Sequence, residues 1–256
     1  MSKNIVISGI TKGIGLAIAQ KFLNAHQWNV YGFARQPSMW NYVPEHTTAT
    51  NVAQNFNKEV EYHYEGAYTS RLCIDAVDAQ QTEQVISFAE KLKSLSNTVP
   101  YLYQKTDILV NNVGMYRTGS LFDESDAQWQ QLWKVNLDAA YYLTKYLYPT
   151  FGKGTHIFNI CSIASKDIVA EAPSYSITKM ALYGLHKAMV KELEPKGIKV
   201  TAILPGSVYT DSWKDAPQNV KDEIIPPEDI AALIWDIYHL ASQTVVKEIE
   251  IRPMNK

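Results

Sequence analysis

Four stretches of the chain place a lysine four residues after a tyrosine: Tyr101 and Lys105, Tyr141 and Lys145, Tyr175 and Lys179, Tyr183 and Lys187. On a helix, that spacing puts both side chains on one face. A phenol beside an ammonium is a tunable proton donor. Such a donor is what a carbonyl oxygen needs once its carbon has accepted a hydride. The unperturbed phenol titrates near pH 10, too high to exchange its proton freely at neutrality. Lowering that by about three units takes roughly 4 kcal/mol. One cation about 4 Å away supplies on the order of 4 kcal/mol at an effective dielectric of 20, so Lys179 is sufficient in magnitude. Of the four pairs, only Tyr175 and Lys179 have a serine 13 residues before the tyrosine, Ser162. The equivalent positions of the others are Phe88, Gln128 and Ala170. A serine there can donate a hydrogen bond to the same substrate oxygen.

A second chemical signal lies near the start. Ser8-Gly9-Ile10-Thr11-Lys12-Gly13-Ile14-Gly15 follows a β-branched run, Asn4 to Ser8, and opens a helical pattern that continues to about Ala25. Glycines in a strand-to-helix turn allow close approach of backbone to a pyrophosphate and close helix–strand packing. The free N–H groups of the first helical turn then face the phosphates.

These residues need a scaffold, and the hydrophobic periodicity supplies one. Strands are expected at about Trp28 to Ala34, Leu72 to Ala76, Asp107 to Asn111, His156 to Cys161, Lys199 to Leu204 and Val245 to Ile251. Helices are expected at Gln80 to Leu95, Asp126 to Tyr148, Tyr175 to Leu193 (stopped by Pro195 and Gly197) and Glu228 to Leu240. Alternation of strand and helix implies parallel pairing through crossovers, and continuously apolar strands imply burial on both faces. The expectation is a single-domain α/β Rossmann fold over residues 1–256, a doubly wound sheet of about seven parallel strands with helices on both faces. Residues 36–70 are too long for a plain loop and read as an atypical insertion, with a helix expected within Thr47 to Val60.

Composition removes several classes. Twenty-four basic and 26 acidic residues give a formal charge of −2, which disfavours a polybasic nucleic-acid binder. Cys73 and Cys161 make no disulfide framework. No signal peptide or membrane-length apolar run is evident, so a cytoplasmic location is expected. The six histidines, His26, His46, His63, His156, His186 and His239, show no ligand spacing, so no metal is expected. A phosphate-binding Gly-x4-Gly-Lys-Ser/Thr loop is missing.

Taken together, the motifs resemble the short-chain dehydrogenase/reductase family over almost the whole chain. The glycine turn matches Thr-Gly-x3-Gly-x-Gly, with Ser8 for the usual threonine. Asn111-Asn112-Val113-Gly114 is similar to Asn-Asn-Ala-Gly, Asn136 falls at the family's helix asparagine, Tyr175 to Lys179 gives Tyr-x3-Lys, and Pro205-Gly206-Ser207-Val208-Tyr209-Thr210 resembles the motif after the sixth strand. Cys161 stands before Ser162, where serine is common. The resemblance implies a catalytic set of Asn136, Ser162, Tyr175 and Lys179, with Asn136 holding a relay water near Lys179. It implies a dinucleotide held by Gly9, Thr11, Lys12, Gly13, Ile14, Arg35, Asp75, Asn112, Gly114, Tyr175, Lys179, Pro205, Gly206, Val208 and Thr210. Asp75 corresponds to the residue that bonds adenine. At the end of the second strand, Ala34 stands where an acid would select the bare ribose. Arg35 and Lys12 suit a 2′-phosphate, so NADP(H) is the expected cofactor.

The family likeness further implies a carbonyl reductase type of oxidoreductase acting on a small-molecule carbonyl or alcohol: a 3-oxoacyl or 3-hydroxy acid, or a small ketone or aldehyde. Pterin side-chain carbonyls are a further class. About 17 residues separate Thr210 from the helix near Glu228, suggesting a short lid over a cleft lined by Trp213, Tyr116 and Met115. The competing reading is a non-catalytic dinucleotide sensor or scaffold. A homodimer or homotetramer is expected through the helices at Asp126 to Tyr148 and Tyr175 to Leu193.

Overall fold

The computed structural model describes residues 2–44, 47–51, 56–64, 68–98, 103–210, 213, 217–221 and 223–254. Tyr101 and His46 lie outside these, as do residues 211, 212, 214–216 and 222 of the lid segment.

Strand β1 (Lys3–Ser8) carries Ile5, Val6 and Ile7 with no exposed surface at all, because both faces of the sheet are covered. The chain continues through α1 (Gly13–Asn24), β2 (Trp28–Ala34), β3 (Thr47–Asn51), β4 (Lys58–Tyr64), β5 (Tyr68–Ala76), α2 (Thr82–Thr98) and β6 (Ile108–Asn111). Next come α3 (Asp126–Trp133), α4 (Ala139–Leu147), β7 (His156–Ile160), α5 (Pro173–Leu193), β8 (Lys199–Pro205), α6 (Gln218–Lys221), α7 (Pro227–Tyr238) and β9 (Glu248–Ile251). The strands form one sheet in the order β3-β4-β5-β2-β1-β6-β7-β8-β9. From β5 to β9 the seven strands are parallel, as the sequence implies. Ile18, Phe22, Ile230 and Ile234 of α1 and α7 pack on one face. Phe88, Leu92, Leu143, Leu147 and Leu193 of α2, α4 and α5 pack on the other.

The insertion departs from expectation. No helix forms at Thr47 to Val60 among the described residues, and residues 52–55 lie outside them. β3 and β4 instead extend the sheet antiparallel to β5. The reason is visible in β4, where Val60, Tyr62 and Tyr64 are buried at period two. They join the core beside α1, and the Tyr64 hydroxyl donates to the Leu23 carbonyl at 2.5 Å.

The expected helix from Asp126 to Tyr148 is also interrupted. Residues Lys134–Asp138 form a π-helical turn between α3 and α4, around buried Asn136. Such turns often sit at functional sites.

Candidate active site

The C-terminal ends of β1, β6, β7 and β8 meet at one edge of the sheet, where open α/β folds bind ligands. Ser8 organises it. Its hydroxyl donates to the Val110 carbonyl and accepts the N–H groups of Asn112 and Val113, at 2.9 and 3.0 Å. Serine therefore serves fully at this threonine position. The Asn112 amide donates to the carbonyls of Ser8 and Gly9, tying the loop after β6 to the glycine turn.

The glycine turn is sterically committed. Gly9 has a left-handed φ of +72°. A Cβ on Gly15 would lie 2.2 Å from the Gly9 carbonyl oxygen, which forces a residue without one. Lys12 is the N-cap of α1 and its side chain makes no capping bond. The first-turn N–H groups are thus left uncapped by a side chain, as an incoming pyrophosphate requires. Thr210 touches the turn, its methyl lying 2.9 Å from where a Gly13 Cβ would be. A dinucleotide therefore fits this corner of the fold. Arg35 emerges exposed from the end of β2.

Ser162, immediately beyond β7, has two roles. Its oxygen accepts the Ala164 N–H at 3.1 Å, capping the turn Ile163–Ser165. Its hydroxyl also lies close enough to the Tyr175 phenol to lower that group's pKa. The cap bond uses one lone pair of the oxygen and leaves the hydroxyl proton available.

Tyr175 and Lys179 lie one turn apart on α5. The Lys179 ammonium is buried, donates to the Ile160 carbonyl at 2.9 Å and lies 5.9 Å from the Tyr175 ring centre. Burial lowers its pKa. Burial also raises that of Tyr175, outweighing the nearby Ser162 hydroxyl, which lowers it. The expected depression of the phenol is thus not present in the protein alone. The fully protonated phenol is the donor form.

Asn136 has protein partners for both amide hydrogens and for one lone pair of its oxygen. Its side-chain oxygen accepts the Met115 N–H at 2.7 Å, and its amide donates to the Met115 carbonyl and to Thr178 Oγ1. A Cβ on Gly114 would sit 3.3 Å from Lys179 Nζ and 3.6 Å from Asn136 Oδ1, so glycine there lets the three groups converge. Thr178 was not singled out in the sequence, though it stands directly before Lys179; Met115 was expected in the cleft lining, not as a partner of Asn136.

Tyr116 stands edge-on to Tyr175 with ring centres 5.0 Å apart. Met115 is held by Asn136. Trp213 is described, and its N–H donates to the Thr210 carbonyl, but the residues on both sides of it are not. Asp75 is engaged by Lys91 Nζ at 2.7 Å and by the Asn57 N–H at 3.2 Å. Asn112, Gly114 and the Pro205–Thr210 loop line the same edge. The Gly206 N–H donates to the Ile251 carbonyl, and Val208 bridges to Ile225. The rival pair Tyr183 and Lys187 sits away from this edge. The Tyr183 hydroxyl donates to Glu248, and Lys187 Nζ lies over the Tyr183 ring.

Among the described residues no group of three or more His, Cys, Asp or Glu could hold a metal, and no helix is long and apolar enough to cross a membrane.

The short chain dehydrogenase family profile matches residues 3–221, and the chain belongs to that family of oxidoreductases. It is 28% identical to a sepiapterin reductase from Chlorobaculum tepidum, over 99% of this chain and 97% of the relative. It is 29% identical to dehydrogenase/reductase SDR family member 4 of Caenorhabditis elegans, over 86% and 79%. A metagenomic short-chain oxidoreductase solved with NADP is 26% identical, with a TM-score of 0.72 over 98% of this chain and 97% of that one. The fold is also that of the L-sorbose reductase of Gluconobacter frateurii, solved with NADPH and L-sorbose (24% identity, TM-score 0.75, coverage 100% and 97%).

Proposed function

We propose that the protein is an NADP(H)-dependent carbonyl reductase or alcohol dehydrogenase in which Tyr175 is the general acid and base. The observation that carries this is the convergence of Ser162, Tyr175 and buried Lys179 at the sheet edge that also holds the glycine turn. The NADP- and NADPH-bound structures of similar proteins support the cofactor. So do Arg35 and Lys12, with no carboxylate at position 34.

The nicotinamide supplies or accepts the hydride. The protein does the rest. Ser162 orients the substrate oxygen while its cap bond to Ala164 keeps it from rotating away. In reduction Tyr175 gives its proton to that oxygen as negative charge develops there. In oxidation it takes the proton from the alcohol. Lys179, fixed on the Ile160 carbonyl, stabilises the phenolate left behind and binds the nicotinamide ribose. Asn136 acts through position: it holds Met115 and Thr178 around Lys179, and the π-helical turn it occupies shapes the backbone for a relay water. Its side-chain groups already have protein partners, so the water would not depend on a vacant amide.

The substrate is a carbonyl or alcohol of the 3-oxoacyl, 3-hydroxy acid, or small ketone or aldehyde type. Pterin side-chain carbonyls remain a further class, and the relative's name makes sepiapterin the member of it to try. A homo-oligomer in the cytoplasm is part of the same reading. NADPH oxidation against a panel of a 3-oxoacyl thioester, a diketone, an aryl aldehyde, L-sorbose and sepiapterin tests it. Carbonyl-dependent turnover supports the enzyme. Tight NADPH binding with no turnover on any of them would favour the non-catalytic sensor.

A further inference from the structure

The insertion ends at the cofactor edge. Because β4 runs antiparallel to β5, its start arrives where the parallel strands finish. There Asn57 grips the end of β5 twice. Its backbone N–H donates to Asp75 Oδ1 at 3.2 Å, and its side-chain oxygen accepts the Ala76 N–H at 2.8 Å. The second Asp75 oxygen accepts from Lys91 Nζ at 2.7 Å, and Lys91 in turn lies 4.2 Å from the Phe56 ring centre. On the opposite side of β5, Ala34 pairs with Ala76 and its carbonyl accepts the Val77 N–H at 3.0 Å. Arg35 therefore leaves β2 beside the corner that Asn57 holds from the other side. Asn57 is exposed. With its oxygen committed to Ala76, its amide NH2 donates to no protein group among the described residues.

We propose that the inserted strands complete the adenosine end of the cofactor site. Asn57 is the positioning residue. It fixes the Asp75–Ala76 corner, and the fixed carboxamide offers its NH2 to a ring nitrogen at the adenine edge. Asp75, its carboxylate held by Lys91 and Asn57, keeps spare lone pairs for the adenine amino group. The proposal rests on the NADP(H) reading above. Without β4, the corner would be held only by β2 and Lys91, and the Asp75 carboxylate would lose one of its two partners.

The test uses wild type, Asn57→Ala and Asn57→Gln at saturating carbonyl substrate. The KM for NADPH should rise about tenfold in both variants, with kcat within about twofold of wild type; tenfold corresponds to about 1.4 kcal/mol. With reduced nicotinamide mononucleotide, which lacks the adenosine half, variants and wild type should have the same kcat/KM. Calorimetric titration with 2′-phospho-ADP-ribose, which needs no turnover, should show the same factor lost in affinity. An unchanged KM for NADPH would overturn the proposal. So would an equal loss with the mononucleotide, since Asn57 would then act on the fold at large. A wild-type protein that neither binds nor oxidises NADPH would overturn the cofactor reading itself, a result distinct from either.

Discussion

At the residue scale, cofactor choice rests in the proposed function on two side chains, and two buried histidines bear on acid tolerance. Arg35 and Lys12 would meet a 2′-phosphate with a planar fork and a point charge. Charge-assisted contacts are worth roughly 1.5 to 3 kcal/mol each, less when exposed to water. NADPH should therefore be preferred to NADH in kcat/KM by about tenfold to several hundredfold. Ala34→Asp with Arg35→Ile should erase or reverse that preference, and equal use of both cofactors by the wild type would contradict it. The buried histidines act on stability. Thr201 gives its single proton to the Val246 carbonyl, so His156 Nε2 is the donor to Thr201, and His156 Nδ1 is left without a partner. Burial lowers its pKa to about 3. His186 Nδ1 accepts from the Asn159 amide, and burial brings its pKa to about 4. Both values lie below the ordinary histidine value of about 6.5, so the unfolded chain binds more protons as pH falls below that point. Stability is therefore fully present above about pH 6.5 and declines below it, each histidine adding a slope that approaches about 1.4 kcal/mol per pH unit. Denaturant midpoints should fall between pH 6.5 and 5, above the carboxylate range. A flat profile across that window would mean that neither histidine is held neutral.

At the scale of elements, the glycine turn is the part least tolerant of change. Gly15→Ala would drive a methyl against the Gly9 carbonyl. Overpacking of this kind costs typically about 1–3 kcal/mol, and moving the turn would spoil the pyrophosphate seat. The variant should show a lower Tm together with weaker NADPH binding, measured by melting with and without cofactor. A normal cofactor-induced shift would argue that the turn is not the phosphate site. The same elements show what a sequence exposes. Most of the seven parallel strands were legible as short apolar runs buried on both faces, and β9 as an alternation of glutamate and isoleucine. Tyr175 could be chosen from four candidates because Ser162 fell at one spacing only. The strands of the insertion were not legible. β3 is Thr-Thr-Ala-Thr-Asn with four exposed positions, and the alternation of Val60, Tyr62 and Tyr64 is short and set among charges. Asn57 had no periodic signal at all, since its role arises from a strand reversal that brings it beside Asp75. The π-helical turn was equally hidden, because its five residues, Lys134–Asp138, are too few to show a change of period within a long helical pattern. The burial around the phenol was hidden for a related reason: spacing shows the cation but not the desolvation that opposes it.

At the scale of the molecule, the outer faces of α4 and α5 are more apolar than one core requires. Tyr141 and Tyr148 are 41% and 40% exposed, and Tyr142 and Tyr146 extend the aromatic row. Gly184 on α5 has open space around an added Cβ within a single chain. Exposed patches of this kind mark association surfaces. Light scattering at micromolar concentration should give a dimer or tetramer, and Gly184→Glu should reduce the mass; a monomeric wild type would contradict this. The whole arrangement of sheet edge, glycine turn and α5 makes sense if one phenol exchanges one proton with substrate. The most direct measurement is NADPH-dependent carbonyl reduction by Tyr175→Phe beside wild type and Lys187→Ala. Tyr175→Phe keeps the ring and loses the hydroxyl, so it should melt like wild type, bind NADPH with similar affinity and reduce substrate at least about a thousandfold more slowly, in line with loss of a general acid. Lys187→Ala should turn over normally. A Tyr175→Phe protein that retains near-wild-type turnover would show that the proton comes from elsewhere and would contradict the account.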